Sequence, residues 1–100
     1  METFSLQVPS DEWTLVAAGS ETSLVGIQLD TFSGYAGLGA GACAIAIAAS
    51  QPDLSSDDWI LLSSHGDQSV SFDLPDDRNI YARGLSGIPA TQLRGYRKDR

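Results

Sequence analysis

The sequence predicts an all-β fold: one small β-sandwich or barrel, jelly-roll-like, of about eight short strands spanning residues 1–100 as a single domain. Three observations carry that expectation. Short runs alternate apolar and polar residues at a period of two; clusters of Gly, Pro, Asp and Ser separate most of them at about 8 to 12-residue spacing. No stretch shows the 3.6-residue period of a long amphipathic helix. A chain of 100 residues has room for one hydrophobic core, and 42% hydrophobic with 19% charged residues is the composition of a globular protein rather than a disordered one.

The elements follow in order. Thr3 to Val8 sets Phe4, Leu6 and Val8 on one face and stops at Pro9-Ser10-Asp11, a strand and its turn. Trp13 to Ala18 continues in the same style and ends at Gly19-Ser20-Glu21. Leu24 to Leu29 is the third strand, in which Gly26 marks a bulge or a close crossing. The glycines at 34, 37, 39 and 41 make Thr31 to Gly41 a flexible loop, too glycine-rich for a helix. In Ala42 to Ala48 small and larger residues alternate strictly, which predicts a central strand. A helix there would have alanine propensity in its favour but neither a polar face nor caps. Pro52 and the Asp53 to Asp58 loop lead into Trp59 to Leu62, and Ser64-His65-Gly66-Asp67 turns into Ser69 to Phe72, a pairing that reads as a β-hairpin. Asn79 to Arg83 and Thr91 to Arg97 complete the eight strands.

Charge is unevenly placed. Thirteen acids and six bases give −7, yet residues 1–77 hold twelve acids and no Lys or Arg, while residues 78–100 hold all six bases and one acid, Asp99. By subtraction the two parts carry −12 and +5. An acidic body without a clustered basic face is a poor partner for nucleic acid or an anionic membrane, so neither is expected. The longest apolar stretch, Ala36 to Ala49, is 14 residues, broken by glycines and too short to span a bilayer. Met1-Glu2-Thr3-Phe4 has neither a basic nor an apolar leader region, which predicts a soluble chain without a secretory signal. The single Cys43 lies in an apolar run, where a buried, inert thiol is expected.

Constellations that could carry chemistry are few. Gly37-Leu38-Gly39-Ala40-Gly41-Ala42 fits the loose dinucleotide pattern G-x-G-x-x-A, but that motif needs a strand before it and a helix after it. Here a loop precedes and a period-two strand follows, so a glycine loop packed over a sheet end is expected instead. His65 is the only histidine, and a Ser-His-Asp mechanism would have to combine it with Ser64, Ser69 or another serine and with Asp67 or Asp73. That segment reads as turn chemistry, and no G-x-S-x-G elbow is present. One Cys and one His cannot build a zinc site, and the acidic loops Asp53 to Asp58 and Asp73 to Asp77 lack the spacing of a calcium loop. No enzyme, cofactor or metal is predicted. What remains is a candidate partner or subunit contact made of Arg83, Arg94, Tyr96, Arg97, Lys98 and Arg100, with Arg94 and Tyr96 on one face of the last strand. Two readings stand side by side: docking on carboxylates of a partner or second copy, or internal neutralisation of the acidic body.

The order of motifs from Trp13 to Leu85 resembles small virion proteins of tailed bacteriophages, of the head-decoration or capsid-cement type. The resemblance is carried by Trp13-Thr14-Leu15-Val16-Ala17 to Gly19, Val25-Gly26-Ile27-Gln28, Ala44 to Pro52, Trp59-Ile60-Leu61-Leu62, Ser71-Phe72 and Ile80-Tyr81-Ala82-Arg83-Gly84. It implies a noncatalytic structural protein, commonly a homotrimer, that assembles in the host cytoplasm. On the capsid surface it would stabilise the head by binding the major capsid protein between subunits. The long loop at Ser33 to Gly41 and the basic Arg94 to Arg100 segment depart from the shortest members. They leave neck or tail positions open, including a tail-fibre receptor or glycan-binding module marked by exposed aromatics such as Tyr35.

Overall fold

The computed structural model describes residues 1–29, 42–63, 69–85 and 90–100. Its strands are β1 (Glu2–Pro9), β2 (Thr14–Ala18), β3 (Thr22–Leu29), β4 (Ala42–Ala48), β5 (Ile60–Ser63), β6 (Ser69–Asp73), β7 (Asn79–Gly84) and β8 (Ala90–Asp99). Each begins and ends within two residues of the run that predicts it. They form two four-stranded sheets, A in the order β1-β8-β3-β6 and B in the order β2-β7-β4-β5, with every neighbour antiparallel. The ladders include the nested pairs 1 with 8, 2 with 7, 3 with 6 and 4 with 5, as though one long hairpin had been rolled into two layers. That is the strand order of a jelly roll. The predicted sandwich is therefore present, and the Ala42 to Ala48 segment is a central strand between β7 and β5.

One expectation is corrected. Trp59 to Leu62 and Ser69 to Phe72 do not form a hairpin: β5 is the edge of sheet B, paired to β4, and β6 is the edge of sheet A, paired to β3. β6 alternates as a half-buried strand must, and β5 is a short apolar run buried at Leu62, but neither pattern reports which sheet covers the strand. In the rolled arrangement the chain crosses between layers about 10 Å apart at this point. The true hairpin partners are β4 and β5, joined through residues 49–59.

Alternation explains the core. Val8 on β1, Val25, Ile27 and Leu29 on β3 and Leu93 on β8 point from sheet A toward Cys43 and Ile45 on β4, Leu62 on β5 and Ile80 and Ala82 on β7. Val8, Leu29, Ile80 and Leu93 are completely buried; burial of each such side chain contributes roughly 1.5–3 kcal/mol. A bulge between Leu15 and Ala17 turns both Val16 and Ala17 inward while Leu15 stays outside beside Tyr81. A second, smaller cluster sits on the outer face of sheet B, where Trp13 covers Ala44, Ala46 and Tyr81 with Trp59 and Leu85 packed alongside. The indole N–H groups of Trp13 and Trp59 donate to the carbonyls of Asp53 and Ser56, 3.1 Å in each case, which fastens the 49–59 segment beside this cluster.

Candidate functional site

The two outer faces differ in chemistry. On sheet A the side chains that alternate outward are Thr3, Ser5 and Gln7 from β1, Gln92, Arg94, Tyr96 and Lys98 from β8, Leu24 and Gln28 from β3, and Ser69, Ser71 and Asp73 from β6. Gly26 stands directly opposite Tyr96. A β-carbon on Gly26 would overlap Cε1 and Cζ of the Tyr96 ring and lie 2.8 Å from its hydroxyl oxygen, so the ring occupies the space a side chain would have filled. The close crossing expected at Gly26 is this one. One residue before Tyr96, on the inward side, a β-carbon on Gly95 would overlap the Gly26 carbonyl and meet the Phe4 ring at 2.8 Å. Two shallow depressions, of about 430 and 540 Å³, flank Tyr96: one toward β6, with Gln28, Ser69 and Ser71, the other toward β1, with Thr3, Ser5 and Arg94.

Sheet B carries the apolar exposure. Apart from Met1, every exposed large hydrophobic side chain among the described residues belongs to sheet B or to the 49–59 segment: Leu15, Ile47, Leu54, Ile60 and Leu61. Leu15 and Leu61 stand on the outer face, opposite Tyr81 and Ala44. Ile47 and Ile60 lie at the open side of the sandwich, where with Ile45, Trp59 and Phe72 they line a shallow depression of about 210 Å³.

The predicted contact residues do not gather into one patch. Arg94, Tyr96 and Lys98 share the outer face of sheet A, and Arg94 is engaged in an interaction of its own. Arg83 is on the outer face of sheet B, its guanidinium 5.3 Å from the centre of the Trp13 ring and donating to the Ser10 carbonyl at 3.3 Å. Arg97 alternates inward at the end of sheet A and lies over Phe4, 4.3 Å from the ring centre. Arg100 is a clamp. Its backbone N–H donates to Glu21, its Nε to the Gly19 carbonyl at 2.7 Å, and its Nη2 to the carbonyls of Thr22 and Leu74. Arg83, Arg97 and Arg100 thus use their cations on aromatic rings and backbone oxygens of their own chain. These three contacts are internal but reach rings and carbonyls rather than carboxylates; in the basic segment Arg78 does pair with a carboxylate, its neighbour Asp77 at 3.2 Å.

Burial is the main cause that pushes the Cys43 thiol from its ordinary 9.0 up to about 12, partly offset by a backbone hydrogen bond from Arg83. The protonated thiol is buried and donates to the Ala44 carbonyl at 3.6 Å. Among the described residues no three acids, histidines or cysteines come together as a metal site. No helix among them is long and apolar enough to cross a membrane. His65, Asp67, Tyr35 and the Gly37 to Gly41 motif lie outside the described residues.

Sequence reasoning missed the two aromatic arrangements. Gly26 and Tyr96 could have been paired only by knowing that β8 lies beside β3. The Trp13–Tyr81 cluster needed the knowledge that β2 and β4 both flank β7. No known family model matches the chain, and no curated protein matches it either.

Proposed function

We propose that this chain is a noncatalytic virion structural protein that decorates a phage capsid and stabilises it by binding the major capsid protein between subunits. The observation that carries the reading is the concentration of exposed apolar side chains on sheet B, Leu15 and Leu61 on its outer face and Ile47 and Ile60 at the open side of the sandwich. Leu15, Leu61, Ile60 and Ile47 are 51, 50, 47 and 44% exposed, while the outer face of sheet A is lined mostly by polar and charged groups, with Leu24 only half-buried among them. Covering the remaining surface of one such side chain contributes about 1 kcal/mol at roughly 25 cal/mol per Å². Several together supply a contact that each copy alone holds weakly and many copies hold well. Jelly rolls are a frequent architecture of viral shells, which supports the reading by analogy of fold alone. Self-association as a trimer belongs to the same proposal, since three copies would multiply that contact.

Cosedimentation with undecorated capsids tests it. Saturable binding is expected, lost in the double variant Leu15→Lys/Leu61→Lys while that variant remains folded by circular dichroism. Binding that fails to saturate, or that survives both substitutions, would remove the apolar side as the docking surface. Light scattering on the free protein reports the trimer.

A further inference from the structure

We propose that the outer face of sheet A, opposite the apolar side, is a binding site for an uncharged oligosaccharide, with Tyr96 as its stacking platform. Three observations converge on it. First, the Tyr96 ring is positioned before any ligand arrives, since it fills the space above Gly26 where a side chain would otherwise stand. A ring held against a sheet loses little freedom on binding and offers an apolar surface to the C–H groups of a pyranose.

Second, the ring is the wall shared by both depressions, so a chain lying across the strands would pass over it with a subsite on either side. Four strands spaced about 4.8 Å apart give a track of about 14 Å from β6 to β1, about the reach of a trisaccharide.

Third, the polar groups are of the kind that recognise hydroxyls. Gln28 borders both depressions and offers a donor and an acceptor in one plane; Ser69 and Ser71 on one side, Thr3 and Ser5 on the other, offer hydroxyls. No carboxylate lines either depression, and their one cation, Arg94, already has an interaction of its own. The depressions present hydroxyls and an amide rather than a cluster of cations, and a net charge of −7 would oppose an anionic ligand. An extended peptide lying across the centre of this face would find no unpaired backbone in β3 or β8, which are flanked by strands on both sides; strand addition would be confined to the edges β1 and β6.

The test uses the isolated full chain, ¹⁵N-labelled, titrated with cellopentaose, chitopentaose and maltopentaose to about 10 mM, which reaches millimolar affinities. The expected result is saturable amide shifts with at least one probe, confined to the neighbourhood of Gly26, Gln28, Ser71, Gly95 and Tyr96. Gln28→Ala, an exposed position whose loss leaves the core intact, should weaken binding about fivefold, the worth of one hydrogen bond. Tyr96→Ala should abolish it. Absence of shifts with all three probes, saturable shifts mapping to sheet B, or unchanged affinity in Gln28→Ala would overturn the proposal. Because no capsid is present, a failure here leaves the decoration reading standing, and a failure of capsid binding leaves this one standing.

Discussion

Tyr96 on β8 covers Gly26 on β3, its directly paired neighbour, and fills the place where a β-carbon would stand. Gly95, one residue earlier, is crowded by the Gly26 carbonyl and the Phe4 ring instead. The two glycines therefore answer differently to the same substitution. Gly26→Ala displaces a side-chain ring that can rotate away, and the expected loss is about 1 kcal/mol with the fold retained. Gly95→Ala meets main chain and must spread β3 from β8, so a loss of about 3 kcal/mol is expected. Urea unfolding of the two variants checks the order; a larger loss for Gly26→Ala would contradict it.

Arg83 stabilises sheet B from outside by lying over Trp13 and donating to Ser10. Arg83→Ala should lower stability by about 1–2 kcal/mol, the scale of a partly desolvated cation–π contact, the 3.3 Å hydrogen bond to Ser10 being too long to add its full worth. For a chain of this size, that is a fall in Tm of roughly 4–16 °C. Arg83→Lys should recover only part of it, since a point cation cannot stack as a guanidinium does. Full recovery by lysine would show that charge alone is at work.

The Arg100 clamp gathers the carbonyls of Gly19, Thr22 and Leu74, tying the β2–β3 turn to the segment after β6. Arg100→Ala should release that corner first. Hydrogen exchange is expected to quicken at Glu21 to Ser23 and around Leu74 before the core strands respond. Uniform acceleration over both sheets would contradict a local role.

Cys43 gives a pH dependence whose sign follows from linkage. The unfolded chain ionises this thiol at its ordinary 9.0 and the folded chain only at about 12. Below pH 9 the thiol is protonated in both states and leaves stability unchanged. Between 9 and 12 the unfolded state releases a proton that the folded state keeps, so stability falls as pH rises, by at most about 1.4 kcal/mol per pH unit. Wild-type protein should therefore lose more stability than Cys43→Ala between pH 9 and 11. Equal losses would show that this thiol is not held protonated. The same burial predicts that disulfide reagents leave the native thiol unmodified.

The strands were legible because alternation is a property of neighbours in sequence. Phe4, Leu6 and Val8, or Cys43 and Ile45, declare a covered face without reference to any distant residue. What covers that face is a long-range matter, and there the reading of β5 and β6 as a hairpin failed: a strand that changes sheet and one that folds back on its neighbour have the same local pattern. The basic residues show the same division. Arg94 and Tyr96 on one face follows from a period of two; Arg97 over Phe4 and Arg83 over Trp13 depend on pairings separated by most of the chain. Clustering in sequence did not become clustering in space.

The central proposal is that the outer face of sheet B, through Leu15 and Leu61, holds this protein on a capsid, and the melting temperature of undecorated capsids measured with and without it is the direct test. The account predicts a rise that saturates with added protein and vanishes in Leu15→Lys/Leu61→Lys. An unchanged melting temperature at saturating wild-type protein, or an equal rise with the double variant, would contradict it.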